Sequence, residues 1–478
     1  MIDGLEPYAD RRDSGLPWLG KIPAHWEVRR NGRLFVQRNE TGFPDLPILE
    51  VSLKTGVRVR DFEGTNRKQV MSDREKYKRA RQGDIAYNMM RLWQGAVGTS
   101  PVDGLVSPAY IVAKPLPQTD SRYYQYLFRT GAYMDEVNKF SRGIVSDRNR
   151  LYWEDFKQMP SPFPPPEEQA AIVRFLDHAD RRIRRYIRAK RQLIALLNEQ
   201  KQAIIHRAVT RGLDPHVKLK PSGVEWLGDV PEHWEVTRLG RLSELLTGFA
   251  FKSDGFIHDA EGIRLLRGVN VTPGTIRWED VVRWPAHDKN AYKDYLLEPG
   301  DIVLGMDRPI ISGGMRVACI ADIDTPSLLL QRVARLRPKQ TLHHGYLLLL
   351  LQGRGFADYL EPIFTGVSVP HISPQQICDY RCAAPPISEQ HDIVRKVEDE
   401  SAAANQTIQK CLNEIDLLRE FRARLIADAI TGKLDVRETA VALSDELEAV
   451  EPNAEELLDE DETTDDAELD TEPKEIEA

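Results

Sequence analysis

Two stretches of the chain carry a long helical pattern. In 167–211 the apolar positions Ile172, Leu176, Ala179, Ile183, Ile187, Leu193, Leu197, Ile204 and Ala208 recur mostly every three or four residues, the seam of a coiled coil. Proline precedes this run and Gly212 follows it, as at helix ends. In 385–435 the same spacing passes through Ile393, Val397, Ala404, Ile408, Cys411, Ile415, Leu418, Leu425 and Ala429, and Gly432 closes it. About 40 residues at ~1.5 Å each predict a helix of roughly 60 Å. A helix of that length cannot bury its stripe against one small domain. Each is expected to pair with the other, antiparallel if the two halves of the chain are related by a two-fold axis.

The rest of the chain has a shorter rhythm. Residues 46–115 show brief β-like runs at 48–53, 85–89 and 110–112, punctuated by glycine, and helical patches follow near 123–140. Residues 244–340 read the same way, with helix near 346–360. Each set predicts a mixed α/β domain of about 150–170 residues.

These similarities are a duplication. Residues 14–34 (SGLPWLGKIPAHWEVRRNGRL) and 222–242 (SGVEWLGDVPEHWEVTRLGRL) are identical at fourteen of twenty-one positions, at an offset of 208. Residues 164–214 and 385–435 align without a gap at an offset of 221, so that Pro164, Pro165, Glu168 and Gln169 recur as Pro385, Pro386, Glu389 and Gln390. Between them Gly83-Asp84-Ile85 recurs as Gly300-Asp301-Ile302, and Arg91 falls in frame with Arg308. Two copies are too few for a solenoid. The expected fold class is α/β (α+β) with long helices and an internal pseudo-two-fold repeat. It consists of a mixed domain over 1–166, a helix over 167–212, a second domain over 213–384 and a second helix over 385–435. The repeated tryptophans, and His25 and His233 beside them, read as packing anchors.

Composition sharpens this at three points. With 41% hydrophobic and 29% charged residues in 478, packed cores are affordable and wholesale disorder is excluded. No run approaches the ~20 apolar residues of a membrane helix, and the charged N-terminus does not read as a signal peptide. A cytoplasmic protein without a membrane partner is expected. The net charge of −9 hides an uneven distribution. Residues 444–478 hold seventeen Asp/Glu and one lysine, a net of −16, which leaves −9 + 16 = +7 for the remainder. Residues 436–478 therefore read as an acidic, disordered tail. The four cysteines form no disulfide framework, and Cys378 and Cys382 lack a second ligand pair for zinc. No metal and no cofactor are expected.

The basic remainder permits an anionic partner. Between Lys54 and Arg91 there are eleven Lys/Arg against five Asp/Glu, interleaved with Tyr77, Tyr87 and Trp93. Phosphates are held by Lys and Arg, and base edges are read by Arg, Lys, Asn and Gln. The candidate contacts of the first domain are Lys54, Arg58, Arg60, Arg67, Arg91 and Gln94. Those of the second are Arg264, Arg267, Asn270, Arg308, Ser368 and His371. Arg91 and Arg308 could instead be tied to the nearby Asp84 and Asp301. A run of arginines from Arg181 to Arg191 reads either as a solvated helix face or as contact with nucleic acid or an acidic partner. Catalytic signatures are missing: the sequence has no GxxxxGK[ST] loop, no glycine-rich loop for S-adenosylmethionine, no Asn/Asp-Pro-Pro-aromatic motif, no H-E-x-x-H and no G-x-S-x-G.

The duplicated W-L-G…P-x-H-W-E-V, the two PP-x-x-EQ helix starts, the long helices and Gly104-Leu-Val-Ser-Pro-Ala-Tyr110 together resemble the specificity subunit of type I restriction-modification systems, over almost all of 14–435. The resemblance implies that each variable part is a target recognition domain reading one half of a bipartite sequence in double-stranded DNA. It implies that the paired helices set the spacing and dock two methyltransferase subunits. Those subunits carry S-adenosylmethionine and methylate adenine N6, and motor-nuclease restriction subunits cut unmodified DNA with ATP. The specificity subunit itself would be non-catalytic. A coiled-coil scaffold that binds only proteins is the alternative.

Overall fold

The computed structural model describes residues 5–53, 55–60, 74–142, 149–257, 261–311, 313–365 and 370–443. It divides into two compact units, one formed by 1–189 with 414–478 and the other by 190–413. The division falls inside both long helices, Pro166–Arg211 and Ile387–Ile430, of 46 and 44 residues. Among the described residues no helix is long and apolar enough to cross a membrane.

The first unit is built on an antiparallel sheet whose strands lie in the order Phe35–Arg38, Tyr110–Pro115, Ile85–Asn88, Val97–Thr99. The alternation of Ile85, Tyr87 and Ile111 with Ala86, Tyr110 and Val112 sends side chains to both faces, and both faces are covered. One meets Phe35, Tyr124, Phe128 and Phe156, and the other meets the hairpin Leu49–Ser52/Gly56–Val59. The helical patches expected near 123–140 are the helices Ser121–Phe128 and Gly131–Phe140. Asp120 caps the first by accepting from the Arg122 N–H at 2.8 Å, and Thr130-Gly131 interrupts the run.

The same core includes Ile172, Phe175, Leu176 and Ala179 of the first long helix with Leu425, Ala429 and Ile430 of the second. Asp180 and Arg422 form an ion pair. Residues 437–442, assigned by composition to the tail, form a short helix instead. Val436 and Ala440 are buried in this core, so hydrophobic burial extends the fold past the acidic composition shift. Residues 444–478 lie outside the described residues.

The second unit repeats the plan. Its sheet runs Ser243–Thr247, Val333–Pro338, Ile302–Gly305, Val317–Cys319, again antiparallel. A three-stranded sheet of Arg283–Trp284, Ile263–Leu266 and Ser327–Leu329 is added to it, its last pair parallel. The helices His344–Gln352 and Arg354–Leu360 share a core with Ile205, Ala208 and Val209 of the first long helix and Ile393, Val394 and Val397 of the second. The predicted stripe holds from Ile172 to Ile187, all buried, but Leu193 is exposed while Ile194 is half-buried. A straight helix has 3.6 residues per turn, so a stripe counted in threes and fours drifts by one position after a few turns.

The repeated motifs have a structural job. Gln169 Nε2 donates to the carbonyls of Pro164 (2.8 Å) and Gln118 (3.1 Å), and its Oε1 accepts from the Asp120 N–H (2.8 Å). Gln390 repeats this with Pro385 (2.8 Å), Thr341 (2.9 Å) and the His343 N–H (2.7 Å). Each buried amide thus clamps the start of a long helix to the cap of a short one. Trp26 and Trp234 are buried beside these starts, each 1% exposed, in agreement with the packing reading. The four cysteines are free, and burial pushes the Cys382 thiol up to about 12.

Candidate nucleic-acid interface

The shared Gly-Asp-Ile builds the same corner twice. Gly83 and Gly300 take φ +87° and +92°, a turn that strains any residue with a Cβ. The following aspartate is buried in each unit, and an arginine of the same sheet pairs with it, from the strand Phe35–Arg38 one place removed in the first unit and from the adjacent Val333–Pro338 in the second. Arg38 Nε lies 2.6 Å from Asp84, and Arg337 Nε and Nη2 lie 2.5 and 3.0 Å from Asp301. This forked pairing anchors the strand that leaves the corner. The aspartates are therefore occupied by Arg38 and Arg337, not by Arg91 and Arg308.

Each strand then delivers its arginine to a loop. The carbonyl of Met89, just past the first strand, accepts from the Leu151 N–H at 2.8 Å, and that of Met306 accepts from Ile372 at 3.0 Å. Leu151 and Ile372 are fully buried. They lie next to the bridges Arg142↔Arg150 and Thr365↔His371. Arg91 is half-buried before the turn Leu92–Gln94, and Gln94 is exposed on that turn. Arg308 is exposed, and its N–H donates to the Pro370 carbonyl at 2.7 Å. Neither guanidinium has a partner among the described residues. The structure thus brings Arg91 together with Gln94, and Arg308 together with His371.

The other candidates are placed differently. Arg58 lies on the hairpin and pairs with Glu50 across it, and Arg60 follows with its N–H on the Ile48 carbonyl. Lys54, Arg67 and Ser368 lie outside the described residues. Arg264 spends its guanidinium on the carbonyls of Ile323 and Thr325 and lies 4.5 Å over the Trp278 ring. Burial pushes its pKa down, opposed by Asp324. Arg267 is tied to Asp280 at 2.5 Å. Asn270 is a correction. It is 2% exposed, with Oδ1 on the Arg267 N–H and Nδ2 on the carbonyls of Arg277 and Asp280. A buried amide spent on its own turn offers no edge to a base.

Arg332 escapes the sequence reading. It stands on the turn before the strand Val333–Pro338, with φ +68°, and meets His371 and Asp307. Its only sequence signal is a charged residue one position beyond the buried run Leu328–Leu330, after Gln331. Among the described residues no group of three or more His, Cys, Asp or Glu could hold a metal ion.

Comparisons with known proteins bear on this arrangement. The family model for the type I restriction modification DNA specificity domain matches twice, over 26–194 and 231–417. The MjaVIII type I restriction enzyme specificity subunit of Methanocaldococcus jannaschii is 29% identical over 283 residues, 59% of this chain and 64% of that protein. The EcoAI specificity subunit of Escherichia coli is 37% identical over 204 residues, 42% of this chain and 33% of that protein. The match therefore spans under two thirds of the length of either relative. A solved structure addressing complex assembly and conformational transition of the type I R-M system superposes with a TM-score of 0.55 at 15% identity, covering 86% of this chain and 98% of that one. This supports the mixed α/β fold.

Proposed function

Given that the chain belongs to the type I restriction-modification DNA specificity domain family, we propose that it reads a bipartite, asymmetric DNA sequence and delivers it to other subunits. The domains over 1–166 and 213–384 each read one half-site. The observation that carries this is the duplicated corner: in each unit an Asp–Arg fork anchors a strand whose following arginine, Arg91 or Arg308, has no partner among the described residues. Surface arginines held against carboxylates of their own domain are common; a matched pair left open at the same corner is what a DNA reader requires.

The two long helices form an antiparallel coiled coil that sets the half-site separation. Support comes from each unit taken alone. In the first, the N-terminal half of the first helix shares a core with the C-terminal half of the second; in the other unit the halves are exchanged. That exchange is what a pseudo-two-fold axis produces. The helices also dock two methyltransferase subunits, which supply S-adenosylmethionine, and restriction subunits join to supply ATP-driven cleavage. The chain contributes no catalytic group. It works in the cytoplasm, where its DNA lies.

The test is methylome sequencing of a host that expresses the full chain with its methyltransferase. A bipartite adenine-methylated motif that vanishes without this chain is expected. Matched seven-residue insertions after Leu197 and Leu418 keep the seam and lengthen the helices by about 10 Å, so the spacer within the motif should grow. Methylation without a bipartite motif, or an unchanged spacer in a stable double insertion, overturns the reading. Retained partner binding with no DNA dependence would favour the protein-only scaffold.

A further inference from the structure

Three segments of the second unit converge on one surface point. They are the end of the strand Ile302–Gly305, the turn before Val333–Pro338 and the bridge Thr365↔His371. Of the three non-glycine residues with positive φ among the described residues, two meet there: Arg308 (φ +45°) and Arg332 (φ +68°). An L side chain in this conformation is costly and persists only when its surroundings over-determine it. Here the surroundings are specific. The Asp307 carboxylate can only accept, so the 2.7 Å contact to His371 places the ring hydrogen on Nδ1. Arg332 Nη1 lies 3.2 Å from Nε2 and 3.4 Å from Nδ1, so the guanidinium rests over the imidazole ring rather than on one nitrogen's lone pair. Arg332 Nε lies 3.8 Å from the second oxygen of Asp307, too far for a hydrogen bond but close enough for attraction. The result is an imidazole held by Asp307 with the Arg332 guanidinium resting over it, on a side chain that is 58% exposed.

Resting on the proposed function, we propose that Arg332 is a specificity-determining residue of the second domain, reading a guanine in the second half-site, with His371 and Asp307 as positioning residues. With Nη1 resting over the His371 ring, the outward Nη1 and Nη2 hydrogens form the end-on fork that matches O6 and N7 of guanine in the major groove. Nη2 has no partner among the described residues. Holding a flexible side chain in its binding geometry lowers the cost of ordering it on DNA. Arg308 and Arg316 stand beside it, the latter donating to the Asp307 carbonyl at 3.1 Å, so Asp307 is outnumbered and the point is net cationic. The first unit lacks this device. The residue just before its matching strand, Tyr110–Pro115, is Ala109.

The experiment compares methylomes of the full chain, expressed with its methyltransferase, as wild type, Arg332→Ala, Arg332→Lys and Asp307→Asn. The wild type must first give a bipartite motif; if it does not, the proposed function fails and not this assignment. With Arg332→Ala, one G·C position of the second half-site should relax, with discrimination there falling about 10-fold or more. The first half-site should stay unchanged. Arg332→Lys keeps the charge but loses the fork, so it should not restore that position. Asp307→Asn should relax the same position and no other. Should Arg332→Ala fold poorly, Arg332→Gly removes the backbone strain and carries the same test. An unchanged motif in these variants, rescue by lysine, uniform weakening at all sequences, or a wild-type second half-site without a G·C pair would each overturn the assignment.

Discussion

The junction of His25 and Trp26 with Glu168 and that of His233 and Trp234 with Glu389 come from the same duplicated motifs, yet they are bonded differently. In the first unit the Glu168 side chain is 4% exposed and accepts from three donors: the Tyr8 hydroxyl, His25 Nε2 at 2.8 Å and Trp26 Nε1 at 3.0 Å. In the second, Glu389 is 28% exposed and among the described residues accepts from His233 alone, at 2.9 Å. Trp234 Nε1 is buried with no partner among the described residues. The difference lies in what precedes the motif. Tyr8 belongs to a segment that pairs with the chain after the second long helix, through Glu6↔Asp435, and Arg437 lies over its ring. The position 208 residues on is the exposed His216. A carboxylate without water must fill its lone pairs from the protein; one at the surface need not. The same motif is thus a buried network in one unit and a wet contact in the other.

Removing the carboxylate should separate the two most strongly. Glu168→Ala strands two buried donors, on Tyr8 and Trp26, and should cost about 4 kcal/mol. Glu389→Ala exposes only a half-exposed histidine to water and should cost about 1 kcal/mol or less. Urea unfolding read by hydrogen exchange at 22–34 and 230–242 checks both. Equal losses would show that the two extra partners of the first junction, Tyr8 and Trp26, contribute nothing.

A smaller contrast lies at the helix ends beneath these junctions. Gly432 and Gly212 both close a long helix in the left-handed region, with φ +70° and +71°. A Cβ on Gly432 would meet Pro23 Cδ at 2.4 Å and Trp26 at 3.0 Å, whereas one on Gly212 would meet Trp234 at 3.1 Å and Glu389 at 3.2 Å. Both alanine variants lose about 1 kcal/mol to backbone strain, and Gly432→Ala adds a clash with a rigid ring, for a total of about 3 kcal/mol. The same exchange experiment ranks them; Gly212→Ala costing as much as Gly432→Ala would show that the first junction yields to the added atom.

Much of this organisation was legible from sequence because it is periodic or repeated. The long helices declare themselves by spacing, and Gly-Asp-Ile by recurrence, so the matched places of Arg91 and Arg308 could be read without coordinates. Contacts that join distant segments could not. Nothing near Asp84 in the chain points to Arg38, nor near Asp301 to Arg337. Asn270 carried the chemistry of a base reader, but whether its amide faces DNA or its own turn depends on burial. Arg332 was hidden for a related reason: a positive φ at a non-glycine residue has no sequence signature, and its partners lie 25 and 39 positions away.

The last contrast concerns the caps clamped by Gln169 and Gln390. Asp120 caps its helix with a carboxylate, favourable at the positive end of the helix dipole. His343 holds the same place in the second unit without a side-chain capping bond, and its Nδ1 is buried without a partner. Its ring lies 4.0 Å from that of His391 and 4.4 Å from that of His344. Burial first, then His344 and His391, hold its pKa below the ordinary 6.5. The sign follows from proton counting. Just below pH 6.5 the unfolded chain binds a proton that the folded His343 refuses, so the stability from this group is complete above that pH and is lost as pH falls from there through the depressed folded value. His178 and His206 shift in the same direction, so the wild-type profile alone does not isolate the cap. His343→Asn does, because asparagine caps without titrating. Exchange protection of 344–352 should fall between about pH 7.5 and about pH 5.5 in the wild type and change less in His343→Asn, while 121–128 behaves alike in both. Identical pH profiles at 344–352 in the two proteins would show that the histidine cap is not the proton-sensitive element of the second unit.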